Sequence, residues 1–339
     1  MIDIKITLPS HGENLNFENF YSANDRSEYK FHINSNIKKA DMWFVFEDIK
    51  DEIEYCKVPK ENVVYLNNET SFKKSHFFEN HMVKFLKQFN FTYGCYPNLN
   101  NNHTNTYPFL PWMIHANHGD SIYKKTNLDY NYFSNFQNKE KQIELSVICS
   151  NKRNTSNHEL RIEFLNILKN HFKDKLQWYG NGIREIDNKF DVISNSKYHI
   201  VLENDSKYNL ISEKLYDSYL GLSFPIYYGA PNINDYFDSN SLQLIDINNI
   251  SRSILKIEQA LNNNLYEKNF MNLIKSKNKV LNDYNFYNRI LNIVKDISKT
   301  KLSGEYIDYL VSSRYCWNHT VSRKKKIKKF LQRKLRIDC

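Results

Sequence analysis

Short apolar runs separated by polar segments dominate the first part of the chain. They predict β-strands at Ile2–Thr7, Met42–Glu47, Val63–Leu66 and Phe91–Gly94. Between Asn80 and Phe89 the apolar side chains recur at helical spacing, which predicts a helix that covers a sheet with one face. Strands that alternate with helices in this way predict an α/β fold with parallel sheets.

The same alternation returns after a polar stretch without periodicity, His118–Lys141. Strands are predicted at Ile143–Cys149, Leu176–Tyr179, Tyr198–Glu203, Phe224–Tyr228 and Leu242–Ile247. A helix is predicted from about residue 158, with a buried stripe formed by Leu160, Phe164, Ile167, Leu168 and Phe172. Further amphipathic helices are predicted at Ser251–Leu261, Leu265–Lys275 and Phe286–Ile297. We therefore expect two α/β domains that face one another across a cleft, residues 1–140 and 141–300, followed by an extension of residues 301–339.

Polar side chains gather around one predicted strand end, within the stretch Tyr198–Pro231. Glu203 and Asn204 follow the strand directly, and Glu213 and Lys214 open the helix that comes after a polar loop. Unpaired N–H groups and the helix dipole attract anionic ligands to such a junction. Buried carboxyl and amide groups also need polar partners. The sequence therefore predicts an anion-binding crevice at this end of the sheet.

Arg161 is a further candidate, because it lies in the predicted first turn of the helix that follows Ile143–Cys149. A cation in a first turn opposes the helix dipole by roughly a few tenths of a kcal/mol, and a bound anion would reverse the sign of that effect. The alternative is a solvated arginine on the helix surface. Together with Lys214, Arg161 would offer a planar fork and a compact charge to a diphosphate. Glu213 would suit ribose hydroxyls, or it is a plain helix-start carboxylate.

Common nucleotide-binding and hydrolase motifs are absent from the sequence. It contains no G-x-x-x-x-G-K-S/T, no G-x-G-x-x-G and no G-x-S-x-G. His115 and His118 are spaced as metal ligands, but they lack a third ligand at suitable spacing, and no Asp-x-Asp pair is present to hold a divalent cation. We therefore predict no metal site, and a diphosphate would be bound by protein cations and N–H groups.

The basic surplus of the chain is confined to one end. The chain has 47 basic and 38 acidic residues, and nine basic residues and one acidic residue lie between Arg323 and Cys339. The rest, with 38 basic and 37 acidic residues, is nearly neutral, which argues against nucleic-acid binding. Ser322–Asp338 predicts a basic amphipathic helix that binds an anionic membrane surface, with a solvated basic terminus as the alternative. Its apolar face would consist of Ile327, Phe330, Leu331, Leu335 and Ile337.

Five widely spaced cysteines without a C-x-x-C pair predict reduced thiols, and the start of the chain lacks the pattern of a signal peptide. We therefore expect a cytoplasmic protein that is bound peripherally to a membrane through its tail.

Three motifs in order make the stretch resemble the fucosyltransferase signature of glycosyltransferase family 10. They are Leu202-Glu203-Asn204, Ile211-Ser212-Glu213-Lys214 and Pro225-Ile-Tyr-Tyr-Gly-Ala-Pro231. Upstream, Ser150-Asn151 with Arg161 resembles another element of that family, and Val63-Val-Tyr-Leu-Asn-Asn-Glu69 resembles the segment that carries its proposed base. The resemblance implies two Rossmann-like domains in the GT-B architecture, with the acceptor on the N-terminal domain and the nucleotide sugar on the C-terminal domain.

The resemblance also implies a function: transfer of fucose from GDP-fucose to a glycan hydroxyl, with inversion and without a metal or another cofactor. The acceptor would belong to lipopolysaccharide or another surface glycan. Arg161 and Lys214 would bind the diphosphate, Glu213 the ribose, and Glu203 with Asn204 the sugar or its surroundings. Glu69 would be the general base for the acceptor hydroxyl.

One departure from the family concerns the donor. Leu210 stands where family members often carry a tyrosine near the donor phosphates, so donor selectivity could differ at this position. Another GDP-deoxyhexose is therefore an alternative donor. From a different class, the alternative function is a non-catalytic basic protein that binds membrane or nucleic acid through its tail.

Overall fold

A computed structural model describes residues 1–8, 17–21, 28–49, 51–67, 80–95, 102–115, 126–301 and 304–318. Glu69 and the predicted basic helix Ser322–Asp338 lie outside these residues. Across the described part of the chain, no helix combines the length and the apolar character needed to cross a membrane.

Two compact units divide the described residues. The first takes its residues from Met1–Leu15, Ala23–Phe109 and Ile290–Cys339, and the second from Asn16–Ser22 and Leu110–Arg289. Apart from the short segment Asn16–Ser22, the chain thus changes units at residues 110 and 290, whereas the sequence analysis placed boundaries at 140 and 300. The segment before residue 140 belongs to the second unit because it bonds to helices there. The Met113 N–H donates to the Asp217 carboxylate, and the Lys277 ammonium donates to the Phe133 and Phe136 carbonyls.

Parallel strands form the main sheet of the first unit, in the order β2-β1-β3-β5-β6-β7. The strands of this part of the chain are β1 (Ile2–Thr7), β2 (Tyr29–Ile33), β3 (Met42–Phe46), β4 (Ile53–Pro59), β5 (Val63–Leu66), β6 (Phe91–Gly94) and β7 (His103–Asn105). Helix α1 (Asn80–Leu86) packs Met82, Phe85 and Leu86 into the core with the side chains of β3 and β5. All residues of β3 and β5 are buried, as expected of central strands covered on both faces.

A separate two-stranded sheet pairs β4 with the last strand, β13 (Tyr306–Ser312), in antiparallel register. Gln88, just after α1, accepts from the Ser312 N–H at 2.8 Å and donates to the Ser312 carbonyl at 2.9 Å. The sequence analysis did not predict β2, β4, β7 or β13. The partner of β4 lies far along the chain, so no local hairpin signal marks the pair.

The second unit contains one parallel sheet in the order β12-β11-β10-β8-β9. Its strands are β8 (Ile143–Ile148), β9 (Leu176–Tyr179), β10 (Ser196–Leu202), β11 (Phe224–Tyr228) and β12 (Gln243–Leu244). Its helices are α2 (Tyr130–Asn135), α3 (Ser156–Phe172), α4 (Lys189–Ile193), α5 (Glu213–Leu220), α6 (Ile250–Asn262), α7 (Leu265–Lys268) and α8 (Phe270–Asn282). Two further helices follow, α9 (Phe286–Lys301) and α10 (Tyr315–Asn318). The predicted α/β class with parallel sheets is confirmed.

Helix α3 begins earlier than predicted and buries a different stripe. It starts at Ser156, and its cap residue Thr155 accepts from the His158 N–H at 3.2 Å. Leu160 and Ile167, predicted to be buried, are each 41% exposed. The prediction was wrong there because the buried face centres on Arg161, Leu165, Leu168 and Phe172, and Leu160 and Ile167 lie roughly 100° to one side of that centre. The buried face consists of Arg161, Ile162, Phe164, Leu165, Leu168 and Phe172.

Lysine side chains donate hydrogen bonds to backbone carbonyls at the C-terminal ends of several helices. Lys141 donates to the carbonyls of Ser194 and Gly221, the C-cap residues of α4 and α5, at 2.6 and 2.8 Å. Lys277 bonds the C-cap carbonyl of α2, and Lys169 that of α3. The chain has 8 glycines, so glycine C-caps are scarce, and the ammonium groups satisfy these carbonyls instead.

Substitution of Lys141 by Met tests this arrangement through pH. Burial lowers the pKa of Lys141 from 10.5 to about 7. Between these two values the unfolded chain holds a proton that the folded chain has lost, so unfolding becomes less favourable as pH rises, by up to about 1.4 kcal/mol per pH unit. The excess unfolding free energy of the wild type over Lys141→Met should therefore grow from pH 7 to pH 9 in urea titrations.

Lys277→Met is the matched comparison for this experiment. Burial lowers the pKa of Lys277 to about 8, so the same growth should begin about one pH unit higher. A difference that stays constant or shrinks with rising pH for both variants would contradict the proposed burial of the ammonium groups.

Candidate functional site

The candidate site lies at the carboxyl ends of β8 and β10. The strand order reverses between these two strands, because β9 follows β8 in sequence on one side and β10 lies on the other. Ligands of open parallel sheets bind outside the strand ends at such a reversal. Cys149 and Ser150 follow β8 and lead to α3, whereas Glu203 and Asn204 follow β10 and lead to α5.

Glu203 is buried at the end of β10, with 1% of the residue exposed. Both carboxylate oxygens face Ser212: Oε1 accepts from the backbone N–H at 2.8 Å, and Oε2 accepts from the hydroxyl at 2.6 Å. Burial raises the pKa of Glu203, although the Lys214 charge and the Ser212 bonds act in the opposite direction. Ser212 is therefore the polar partner that the burial of this carboxyl group requires.

Gly229 leaves the space that the Glu203 side chain occupies. A Cβ at residue 229 would lie 2.2 Å from Tyr227 Oη and 2.5 Å from Glu203 Cγ. The Tyr227 hydroxyl is held between two backbone groups, since it donates to the Leu210 carbonyl at 3.2 Å and accepts from the Ala230 N–H at 2.9 Å. The turn after β11 thus packs against both the end of β10 and the loop that follows it.

Lys214 and Glu213 lie in the first turn of α5, whose cap residue is Ser212. Lys214 Nζ donates to Glu213 Oε1 at 2.9 Å and to Ser212 Oγ at 3.2 Å, and it lies 3.9 Å from Glu203 Oε2. The Lys214 side chain is 31% exposed, and that of Glu213 is 15% exposed. Both charged groups are therefore anchored by the protein and still open to a ligand.

Glu213 and Lys214 each stabilise the charged form of the other. Burial acts to raise the pKa of Glu213, but the Lys214 and Lys189 ammonium groups outweigh it and lower the pKa to about 2. Burial acts to lower the pKa of Lys214, but the Glu213 and Glu203 carboxylates outweigh it and raise the pKa. At neutral pH Glu213 is therefore ionised and Lys214 carries a positive charge.

Arg161 lies in the second turn of α3, not in the first as predicted, because the helix begins at Ser156. The residue is 8% exposed, and its Nη1 donates to the Leu202 carbonyl, the last of β10, at 3.3 Å. Among the described residues, the buried Nε–H has no acceptor. A buried guanidinium bonded to one carbonyl retains capacity for an anion, since it has five N–H donors.

The fold brings Arg161 and Lys214 to the same strand ends. Arg161 is among the charges that oppose protonation of Lys214. Burial raises the pKa of the Cys149 thiol, and both cations lower it in part. Two cations from different helices, more than fifty positions apart in sequence, therefore approach the end of β8.

Asn204 joins the loop to α3 through its main chain. Its carbonyl accepts from the Asn157 side-chain amide at 3.1 Å, and the residue is partly buried. Leu210, where a departure from the family was noted, is 1% exposed, so its side chain belongs to the core. Tyr208, two positions earlier on the same loop, is 68% exposed.

A second ion pair beside α5 was missed by the sequence analysis. Lys189, the first residue of α4, bonds the buried Asp217 carboxylate at 2.9 Å, and Asp217 also accepts from the Met113 N–H at 2.8 Å. Asp217 follows Glu213 by one helical turn, and that spacing is the signal that would have placed Asp217 near the site. Lys189 carries no such signal, because it lies in a different helix.

In the first unit, the polar residue Asn67 directly follows β5, two positions before Glu69. Asn67 is 1% exposed and donates to Glu47 Oε1 at 3.1 Å. Glu47 directly follows β3 and has a φ of 57°, a left-handed conformation that is uncommon for a residue other than glycine. Glu69 itself lies outside the described residues, as does the basic tail.

The sequence comparisons yield one short match. No family model matches the chain. A segment of 70 residues is 30% identical to the alpha-(1,3)-fucosyltransferase FucT of Helicobacter pylori. The match covers 20% of this chain and 15% of that protein, so the chain spans only a small part of the length of this relative.

The structural comparisons cover most of the chain. A solved alpha1,3-fucosyltransferase with GDP-fucose is similar with a TM-score of 0.52 and 16% identity, over 91% of this chain and 92% of that chain. A second solved alpha1,3-fucosyltransferase structure gives a TM-score of 0.51 and 17% identity, over 91% of each chain. The chain therefore has the fold of alpha1,3-fucosyltransferases and resembles one of them in sequence.

Gly229→Ala tests the packing around Glu203. The new methyl group would meet Tyr227 Oη and Glu203 Cγ at distances that side chains do not tolerate, so the turn or the carboxylate must move. Overpacking of this kind destabilises proteins by about 1–3 kcal/mol, which should appear as a lower midpoint of chemical unfolding. Ala230→Gly, at the next position, adds no atoms and serves as the control for a flexible turn. An unchanged midpoint for Gly229→Ala would contradict the close approach.

Proposed function

We propose that this chain, which has the fold of solved alpha1,3-fucosyltransferases, is an inverting, metal-independent glycosyltransferase. It moves fucose, or a related deoxyhexose, from a GDP-sugar to a glycan hydroxyl. The observation that carries the proposal is the pair of cations at the strand-order reversal: Arg161 is buried with an unused N–H, and Lys214 is anchored but accessible. A diphosphate supplies the negative charge and the acceptor oxygens that this pair lacks.

Each proposed donor contact follows from the place of the side chain. Arg161 and Lys214 bind the diphosphate, and the ionised Glu213 accepts hydrogen bonds from the ribose hydroxyls. The sugar lies near the end of β10, where Glu203 and Asn204 border it. The N–H groups at the start of α5 add to the attraction for phosphate, as helix N-termini do.

The reaction is a single displacement at the anomeric carbon. The acceptor oxygen forms a bond to this carbon while the bond from the carbon to the β-phosphate oxygen breaks, and the electron pair leaves with GDP. Glu69 takes the acceptor proton as general base. Arg161 and Lys214 stabilise the charge that develops on the departing diphosphate, which is the role otherwise given to a metal ion.

The remaining parts of the proposal concern the acceptor. The first unit binds the acceptor, a precursor of lipopolysaccharide or another surface glycan, and the second unit binds the donor. The basic stretch Ser322–Asp338 associates with an anionic membrane, which would hold the enzyme at the inner face of the cytoplasmic membrane. The motif resemblance supports the division of acceptor and donor between the two units, and the basic composition of Ser322–Asp338 supports the membrane association.

Lys214→Ala and Arg161→Ala test the donor site. Each variant removes a cation that the diphosphate contacts, and charged hydrogen bonds contribute about 1.5–3 kcal/mol, so the Kd for GDP should rise about 10-fold to 100-fold in calorimetric titrations. Lys207→Ala is the matched control, because Lys207 lies on the loop before α5 and pairs with Asp205. If both site variants bind GDP as the wild type does, the donor site lies elsewhere.

Glu69→Gln separates chemistry from donor binding. Loss of the general base should lower the rate of transfer about 100-fold or more, whereas the Kd for GDP-fucose should stay within about 2-fold. Product formation with radiolabelled GDP-fucose and a glycan acceptor measures the first quantity, and calorimetry measures the second. Glu52→Gln, an exposed carboxylate of the same unit, is the control. Full transfer activity in Glu69→Gln would rule out its role as base.

A further inference from the structure

Glu203 differs from Glu213 and Lys214 because its side chain is 1% exposed, against 15% and 31% for theirs. We infer that Glu203 is a positioning residue: its carboxylate holds Ser212, and through Ser212 it holds the Lys214 ammonium in place for the diphosphate. The inference rests on the proposed donor site and assigns Glu203 a role in building that site instead of touching the sugar.

The contacts form a continuous chain of hydrogen bonds. Glu203 Oε2 accepts from Ser212 Oγ at 2.6 Å, and the same Oγ accepts from Lys214 Nζ at 3.2 Å and from the Lys214 N–H at 3.3 Å. Glu203 Oε1 accepts from the Ser212 N–H at 2.8 Å. Because the Ser212 hydroxyl has one proton and two lone pairs, these three bonds use it fully. Its orientation is therefore set by the carboxylate.

Glu203 and Lys214 differ in how much of each side chain is exposed to solvent. The Glu203 side chain is 1% exposed, whereas that of Lys214 is 31% exposed. Gly229 packs against Glu203 Cγ and the Tyr227 ring, which fills the remaining space on that side. A donor sugar can thus reach Lys214 without a change of structure, but it cannot reach the Glu203 carboxylate.

The strand end that carries Glu203 is held by hydrogen bonds that do not involve the Glu203 carboxylate. The Glu203 N–H donates to the Tyr228 carbonyl at 2.9 Å, and the Leu202 carbonyl accepts from Arg161. The carboxylate therefore projects from a fixed backbone, and it transmits this position to the start of α5. Charge-assisted bonds of the kind it makes to Ser212 are about twice as strong as neutral ones.

Glu203→Gln keeps the size of the side chain but replaces one hydrogen-bond acceptor with a donor. Its amide N–H would face Ser212 Oγ, which then has to accept a third hydrogen bond or turn away from Lys214. Ser212→Ala removes the hydroxyl that connects Glu203 to Lys214. Both variants should free the Lys214 ammonium, and because the diphosphate is common to GDP and GDP-fucose, affinity for both ligands should fall by the same factor, about 10-fold.

The experiment measures the Kd of GDP and of GDP-fucose for Glu203→Gln and Ser212→Ala, in the wild type and in Lys214→Met. We expect equal losses for the two ligands in the wild-type background and no additional loss in Lys214→Met, because each substitution then acts through a group already removed. Asp205→Asn is the matched control: this carboxylate lies two positions on and pairs with Lys207, so both affinities should remain unchanged.

Three outcomes would overturn the inference: a loss confined to GDP-fucose, which would mark direct contact with the sugar; a loss of full size in Lys214→Met; or no loss in either variant. If Glu203→Gln fails to fold, as judged by circular dichroism, Ser212→Ala decides the question by the same criteria. Failure of the donor site itself is distinguishable, because Lys214→Met alone would then bind GDP like the wild type.

Discussion

A buried carboxylate bonded to the cap of a helix is the interaction on which the candidate site depends. Glu203 accepts both the N–H and the hydroxyl of Ser212, so the end of β10 and the start of α5 cannot move separately. Gly229 and Tyr227 from the next strand fit around this contact. A carboxylate without these bonds would be unfavourable at 1% exposure, so the burial and the geometry support one another. Residues of the three sequence motifs therefore pack against one another.

Within the described part of the candidate site, Arg161 differs from Lys214 and Lys189 because it is bonded to a carbonyl and not to a carboxylate. Lys214 is paired with Glu213, and Lys189 with Asp217, whereas Arg161 bonds the carbonyl of Leu202. Paired cations are held in defined positions by their partners, which lowers the entropy lost when a ligand binds. A nucleoside diphosphate would be the counter-ion of Arg161 and a second partner of Lys214. Such a prearranged set of charges is what stabilisation of a leaving diphosphate requires.

The helix ends near the candidate site are stabilised by lysine side chains in a chain that has few glycines. With 8 glycines, the chain has few residues suited to left-handed helix caps, and the carbonyls at the ends of α2, α4 and α5 accept hydrogen bonds from Lys277 and Lys141. Lys141 links the ends of α4 and α5, and α5 begins at Ser212. The position of α5 is therefore determined at both ends by polar contacts, through Glu203 at its start and Lys141 at its end.

The α/β class, the predicted strands of both sheets and the stretch that carries the candidate site could be predicted from the sequence, because apolar periodicity and the three motifs are local signals. It also predicted Arg161, Glu203, Asn204, Glu213 and Lys214 as donor-site residues, and the fold brings Arg161 and Lys214 to the same strand ends, with Arg161 one turn further into its helix than predicted. Four further facts required the three-dimensional fold: Glu203 faces Ser212, Leu210 is buried, Lys189 pairs with Asp217, and β4 pairs with β13. These facts depend on contacts between segments distant in sequence, and a residue pattern records which side chains prefer burial but not which partner they meet.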